Sequence, residues 1–149
     1  MSAQDHATVI RTLFEAFNRG DIDRAAASVT EDFELEDLAM GQTFRGPDGL
    51  RQWLGGFRRA APDARAELTN LIVGEGEWAA SEHVGRGTNT GPLAGPAGDV
   101  PPSGRAFELR IAEVYQLRGG RLARLRAYYD MATFMRQLGL IPPPDQAGR

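Results

Sequence analysis

The stretch AFELRIAEVYQLRGGRLARLRAYYD, residues 106–130, decides the fold of this chain. Its first half alternates polar residues with apolar ones at Phe107, Leu109, Ile111 and Tyr115, which predicts a β-strand with one buried face. Gly119-Gly120 can adopt the positive backbone angles of a tight hairpin turn. Residues 121–129 alternate again and predict the returning strand. The sequence therefore predicts a long hairpin.

Two more strands are predicted upstream of this hairpin. Residues 64–73 and 78–90 show the same period of two, with the turn Gly74-Glu75-Gly76 between them. The segment 91–104 is rich in proline and glycine, and we predict that it is irregular and close to the mouth of any pocket. A shorter strand is predicted over 31–37.

The N-terminal half has helical periodicity instead. Apolar residues at i, i+3, i+4 and i+7 predict a first helix that ends at Gly20; they are Ile10, Leu13, Phe14 and Phe17. A second, short helix follows Asp21, a third begins at Pro47, and a terminal helix precedes Gly139. The predicted class is α+β, with a curved antiparallel sheet wrapped around the N-terminal helices as a cone with a deep pocket.

Composition excludes several kinds of chemistry. The chain of 149 residues predicts one domain over 1–141 and a proline-rich tail over 142–149. The chain lacks cysteine and lysine, which excludes thiol catalysis, disulfides and a lysine Schiff base. Two histidines disfavour a zinc site, and we predict neither metal nor cofactor. The net charge of −3 disfavours a nucleic-acid partner. The sequence has no apolar run long enough to cross a membrane, so we expect a cytoplasmic protein that does not bind membranes.

A family likeness lies in LFEAFNRGDIDRAAASVTEDF (13–33), in GRGTNTGPLAG (85–95) and in residues 101–140. These stretches resemble the SnoaL-like polyketide cyclases, or ester cyclases, of the NTF2-like superfamily, over roughly the whole chain. The chain departs from the family pattern at Asn89, where histidine is usual, at Gly119, which replaces a turn aspartate, and at Arg126, near a common tryptophan. The resemblance implies a homodimer and a cofactor-free intramolecular aldol reaction that closes a ring in a hydrophobic, polyketide-like small molecule.

The resemblance also assigns Asp130 as the acid/base residue, although the same aspartate could instead cap the terminal helix. Tyr128 and Arg126 share strand parity with Asp130, so we expect them to face the same side, with Arg126 polarising the substrate or pairing with Asp130. Asn89 is expected to orient the substrate. His83 is the only histidine inside the predicted fold and is either a second proton carrier or a hydrogen-bonded sheet residue.

Two further candidates come from the residue pattern. Glu113 interrupts an apolar face, so it either lines the pocket or bonds an arginine such as Arg110. Trp53 lies on the apolar stripe of the third helix and is expected in the core or the pocket wall.

A second constellation implies different chemistry. The segment LEDLAMG (35–41) resembles a segment of NTF2-like cyclases that open epoxides in polyether biosynthesis. There an aspartate and a glutamate on the next long strand act as base and acid, which corresponds to Asp37 and Glu67; otherwise Asp37 belongs to a solvated acidic strand edge. The alternatives to an aldol cyclase are therefore an epoxide-opening ether cyclase or hydrolase, a pericyclic cyclase that works by pocket shape, and a non-catalytic ligand-binding module.

Overall fold

The structure is a computed structural model that describes residues 2–144. Four helices and eight strands follow one another in these residues: α1 (Ala3–Arg19), α2 (Ile22–Ala26), β1 (Val29–Asp37), β2 (Gln42–Arg45), α3 (Gly46–Ala60), β3 (Arg65–Val73), β4 (Trp78–Thr88), β5 (Leu93–Gly95), β6 (Gly98–Val100), β7 (Ala106–Arg118), β8 (Arg121–Tyr128) and α4 (Met131–Gln137).

The predicted helices and the C-terminal hairpin are present. Ser2 caps α1 by accepting a hydrogen bond from the backbone N–H of Asp5, and Gly20 ends the helix at φ 73°. Gly119 and Gly120 lie at φ 58° and 80°, the pair of positive angles that a tight two-residue turn between β7 and β8 requires. The four apolar residues predicted for the first helix are all buried.

The main sheet has the order β2-β1-β8-β7-β4-β3 and curves around the helices, which confirms the α+β class. Its neighbouring strands are antiparallel except for β1 and β8, which are parallel, so the expectation of a wholly antiparallel sheet is corrected at one pair. Alternation within a strand cannot predict this parallel pairing. The direction of β1 relative to β8 depends on the end of the sheet at which the chain enters β1 after α2. The strand β2 also has no counterpart in the prediction.

The proline- and glycine-rich segment is more regular than predicted. It contains the small hairpin of β5 and β6, which lies against α3. Arg59 of α3 binds Asp99 of the hairpin, with 2.7 Å between Nη2 and Oδ2. Glycine and proline were compatible with a hairpin because the strands are only three residues long, Pro96-Ala97 form the turn, and Gly98 adopts φ 110° directly after it.

The tail predicted over 142–149 falls partly within the described residues. Residues 142–144 have no helix or strand, and residues 145–149 lie outside the part of the chain that the structure describes. Among the described helices, none is both long and apolar enough to cross a membrane.

The core lies between the concave face of the sheet and helices α1 and α3, with Ile10, Leu50 and Tyr115 fully buried.

Candidate active site

An apolar cavity of about 100 Å³ lies between the helices and the concave face of the sheet. Side chains of α1, α3, α4 and strand β7 form most of its wall. The apolar members are Leu13, Phe14, Phe17, Trp53, Leu54, Phe57, Ala64, Ala66, Phe107, Leu109, Ile111 and Phe134. The ionisable side chains among the lining residues are Arg65, His83, Arg86, Glu113 and Tyr129. The predicted pocket is therefore present, and its polar groups are few.

Strand register brings two carboxyl groups to one face of the sheet. Asp37 of β1 and Glu113 of β7 both pair with Ala127 of β8, one from each side. Residues in one such row point to the same face, and two strand spacings separate the two backbones by roughly 10 Å. Ser81 of β4 continues the row beyond Glu113. The methyl group of Ala127 fills little of the space between the two carboxyl side chains.

Glu113 is the carboxyl group that lines the cavity, and 3% of the residue is exposed. Its Oε1 accepts a hydrogen bond of 2.8 Å from the hydroxyl of Tyr115, whose own oxygen lies 2.6 Å from Oγ of Ser81. Burial raises the pKa of Glu113 to about 7; the Tyr115 hydrogen bond lowers it, and the charge of Asp37 raises it further. A carboxyl group with this pKa can both accept and donate a proton near neutral pH.

His83 lies beside Glu113 in the cavity wall. Its Nδ1 is 3.8 Å from Oε1 of Glu113, too far for a hydrogen bond, and its ring packs edge-on against Phe14 with 4.8 Å between centroids. Burial lowers the pKa of His83 to about 4, so the imidazole is neutral at pH 7. Within residues 2–144, Nδ1 has no hydrogen-bond partner. His83 is thus a neutral polar group at the cavity wall, with a buried ring nitrogen that has no hydrogen-bond partner among the described residues.

Asp37 lies behind the cavity wall and is fully buried. Its Oδ2 accepts hydrogen bonds from Nε1 of Trp53 at 2.9 Å and from the hydroxyl of Tyr129 at 2.8 Å. Its Oδ1 accepts the backbone N–H of Met40 at 2.9 Å. The predicted acidic strand edge is therefore wrong for Asp37, which holds Trp53 and Tyr129 in the wall and places a negative charge near Glu113. Trp53 lies in both predicted places, the core and the cavity wall.

Glu67 does not join Asp37. It is exposed on β3 and binds Arg86 with 2.8 Å between Oε2 and Nη1. Arg86 also binds Glu108, with 2.7 Å between Nε and Oε1. The aspartate–glutamate pair predicted for epoxide opening is absent, because Glu67 has the strand parity that faces away from the core. The carboxyl group that Asp37 meets across the sheet is Glu113.

Asp130 does not reach the cavity either. It is exposed at the start of α4, where its carboxyl accepts the backbone N–H of Ala132 at 3.0 Å and the hydroxyl of Thr133 at 2.7 Å. The Thr133 hydrogen bond lowers the pKa of Asp130, as expected for a solvated cap. Of the two roles that the sequence leaves open, the structure places this residue in the capping role.

Tyr128 and Arg126 share the parity of Asp130 as predicted, but that parity faces outward. Tyr128 is 43% exposed, and the guanidinium of Arg126 lies 6.0 Å from the ring centroid of Trp78 on the convex face. Leu125 and Ala127 have the opposite parity and are buried. Parity groups residues by face, but it does not say which face meets the core.

Asn89 is buried as an anchor for the segment that carries β5 and β6. Its Nδ2 donates to the carbonyls of Ala60 and Gly91 at 3.1 and 2.9 Å. Its Oδ1 accepts the backbone N–H and the hydroxyl of Ser103, both at 2.9 Å. These four hydrogen bonds use both N–H donors and both acceptor positions of the Asn89 amide. Its position therefore does not support the expectation that Asn89 orients a substrate.

Sequence reasoning missed Ser81, Tyr115 and Tyr129. Tyr115 is two residues from Glu113, and Ser81 is two residues from His83, so strand alternation puts the members of each pair on the same face of the sheet. Tyr129 follows the buried Leu125 and Ala127 at the same spacing of two. The signal that could have located Tyr129 is the apolar parity of Leu125 and Ala127 in β8, which is opposite to the parity of Asp130.

A curved sheet wrapped around helices, with an apolar cavity and buried acid groups on the concave face, defines an NTF2-like fold. The sequence profile of the SnoaL-like polyketide cyclase family matches residues 7–138, and the chain belongs to that family. No curated protein sequence matches the chain.

Solved structures share the fold. IdmH of Streptomyces antibioticus, a proposed polyketide cyclase, is 26% identical with a TM-score of 0.75, and the match covers 90% of this chain and 98% of that one. A proposed SnoaL-like polyketide cyclase from Jannaschia sp. CCS1 is 20% identical with a TM-score of 0.80, over 94% of each chain. TerC, crystallised with polyporic acid, is 15% identical with a TM-score of 0.72, over 91% of this chain and 98% of that one.

Proposed function

We propose that the protein is a cofactor-independent cyclase or isomerase that closes a ring in a hydrophobic, polyketide-like molecule, with Glu113 as the proton carrier. The observation that carries this proposal is a buried carboxyl group with a pKa of about 7 in the wall of an otherwise apolar cavity. Glu113 takes the role that the family resemblance gave to Asp130. The complex of TerC with polyporic acid agrees with a cavity of this fold that accepts a small organic molecule.

The arrangement suits an intramolecular aldol reaction. Ionised Glu113 removes a proton from the carbon next to a carbonyl group of the substrate, and the resulting enolate attacks a second carbonyl carbon of the same molecule. One carbon–carbon bond forms, and protonated Glu113 returns its proton to the new alkoxide, so the product is an isomer of the substrate. A pKa close to the working pH serves both transfers.

His83 would hold the reacting carbonyl without adding charge. A neutral imidazole offers one donor and one acceptor nitrogen, and Nδ1 has no partner among the described residues. An unpaired polar atom in an apolar wall is costly, so a ligand that supplies the missing hydrogen bond is favoured there. Burial raises the pKa of the Glu113 carboxyl to about 7, and the charge of Asp37 adds a smaller contribution in the same direction.

A pericyclic cyclase is a second candidate, and the almost wholly apolar wall favours it. Such a reaction needs a folded substrate conformation and one polarising donor, but no proton carrier. One variant distinguishes the aldol cyclase from the pericyclic cyclase. Glu113→Gln keeps the shape of the side chain and its acceptor oxygen but cannot exchange protons, so it abolishes the aldol route and leaves a shape-driven route intact.

The proton carrier can be tested with nitrobenzisoxazole, a small probe whose isoxazole ring opens to a coloured cyanonitrophenolate when a base removes the C–H proton of that ring. We expect the wild-type rate to rise with pH through the pKa of Glu113 and to fall by about 10²–10⁴ in Glu113→Gln. Glu67→Gln and Asp130→Asn are matched controls because both carboxyl groups are exposed. Loss of rate in either control, with full activity in Glu113→Gln, would refute the assignment.

The reaction class needs a second probe. β-Keto esters that carry a distant ketone should cyclise to products of unchanged mass, detected by chromatography and mass spectrometry. Retained cyclisation in Glu113→Gln would show that the cavity promotes ring closure by its shape, without proton transfer by Glu113. Binding of the esters without any turnover, in a protein that also fails to open the benzisoxazole ring, would leave only a ligand-binding role for the cavity.

We also propose a homodimer that pairs through the convex face of the sheet. Ile72, Trp78 and Tyr128 are exposed there, at 56%, 45% and 43%. Large apolar side chains on one face favour a protein partner, and a second copy can bury all three at once. Sedimentation of the wild type as a dimer and of Trp78→Glu as a monomer would support this pairing; a wild-type monomer would contradict it.

A further inference from the structure

Three buried side chains form a hydrogen-bonded chain that ends at the proposed proton carrier. The Ser81 and Tyr115 oxygens are 2.6 Å apart, and the Tyr115 hydroxyl donates to Oε1 of Glu113 at 2.8 Å. Each of the three residues is at most 3% exposed. The chain crosses from β4 to β7, and Ser81 and Glu113 are directly paired across these strands.

The chemistry of the groups gives this chain a direction. A phenol has one proton, and that of Tyr115 is engaged with Glu113. Ser81 must then supply the proton of the bond between the two hydroxyls. Donation by Ser81 polarises the phenol and makes it a stronger donor to the carboxyl group.

We propose that Tyr115 and Ser81 are positioning residues that hold Oε1 of Glu113, so that Oε2 is the oxygen that exchanges protons with the ligand. This inference rests on the proposed function, in which Glu113 is the proton carrier. Neither side chain touches the substrate, because both lie behind the cavity wall. Their effect is to fix the carboxyl plane and to favour its ionised form.

Other groups also face this carboxyl. His83 of β4 is neutral, Asp37 of β1 lies in the same row of side chains, and Tyr129 after β8 donates to Asp37 rather than to Glu113. Burial and Asp37 raise the pKa of Glu113, whereas the Tyr115 hydrogen bond lowers it. Removal of that donor therefore shifts the titration of Glu113 to higher pH.

The experiment is a ¹³C NMR titration of the carboxyl carbons in glutamate-labelled protein, with the Glu113 signal assigned by its loss in Glu113→Gln. In Tyr115→Phe we expect the pKa of Glu113 to rise by about one pH unit, a tenfold tighter binding of the proton. In Ser81→Ala we expect a smaller rise, about threefold in proton binding. In the double variant Ser81→Ala adds nothing further, because its effect passes through the phenol. Tyr128→Phe, on the convex face, should leave the titration unchanged.

An unchanged Glu113 titration in Tyr115→Phe overturns the proposal, as does a Ser81→Ala effect that persists in the double variant. If Tyr115→Phe does not fold, the Glu113 titration in Ser81→Ala alone decides the proposal: a rise in the pKa supports it, and an unchanged titration overturns it. The NMR signal is independent of turnover. The inference can therefore fail while Glu113 remains the proton carrier, and an inactive protein does not prevent the test.

Discussion

Replacement of Glu113 by glutamine should stabilise the protein at alkaline pH. Glu113 has a folded pKa of about 7 against an ordinary value of 4.5. The folded state therefore binds this proton more tightly than the unfolded state, and the associated stability is complete below about pH 4.5 and lost as pH rises through 7. At about 1.4 kcal/mol for each unit of pKa, the full loss is roughly 3 kcal/mol. Glutamine keeps the acceptor for Tyr115 and has no proton to lose.

His83 imposes the opposite slope on the wild type. Its pKa falls from 6.5 to about 4 on folding, so stability is complete above 6.5 and lost as pH falls through 4. The two slopes overlap between pH 4.5 and 6.5 and largely offset each other there. The wild-type profile alone therefore conceals both effects, and the difference between wild type and Glu113→Gln isolates the Glu113 contribution.

The assay is urea unfolding of both proteins at pH 5 and at pH 8.5. We expect Glu113→Gln to be more stable by roughly 3 kcal/mol at pH 8.5 and by less than about 1 kcal/mol at pH 5. The alkaline difference corresponds to a rise in Tm of about 6–12 °C. Equal stability at pH 8.5, or a variant that is less stable at both pH values, would show that the folded state does not penalise ionised Glu113 and would remove the basis for its role as a proton carrier.

Three further predictions concern single contacts. Asp130→Ala should lower the free energy of unfolding by about 1 kcal/mol and Asp130→Asn by only a few tenths, because the carboxyl group caps α4. Both variants should keep the wild-type benzisoxazole turnover, and a large loss of turnover would contradict this prediction. Gly91→Ala should lower the free energy of unfolding in urea by about 1–3 kcal/mol, because the new Cβ would lie 1.8 Å from the Arg59 carbonyl oxygen. In the control Gly56→Ala the new Cβ lies in open space on α3, so this variant should be more stable by about 0.5–1 kcal/mol. Trp53→Phe removes a donor to buried Asp37 and should cost about 2 kcal/mol, a loss that differential scanning calorimetry would detect.

The helices and long strands were accessible from the sequence because their signals are local. The spacing of Ile10, Leu13, Phe14 and Phe17 depends only on the 3.6-residue repeat of the helix, and Gly119-Gly120 marks a turn wherever the hairpin lies. The same local reasoning singled out Glu113 as an acid on an apolar face. These features need no knowledge of what packs against them.

Strand order, orientation and face were decided by the tertiary structure. Nothing in the sequence near β1 indicates that it pairs in parallel with β8, and the meeting of Asp37 with Glu113 across Ala127 depends on that pairing. The convex position of Tyr128 is of the same kind, since alternation defines two faces and only packing against the helices selects the buried one. Sequence periodicity thus determined which side chains share a face. The register of strands far apart in the chain determined which carboxyl groups share a site.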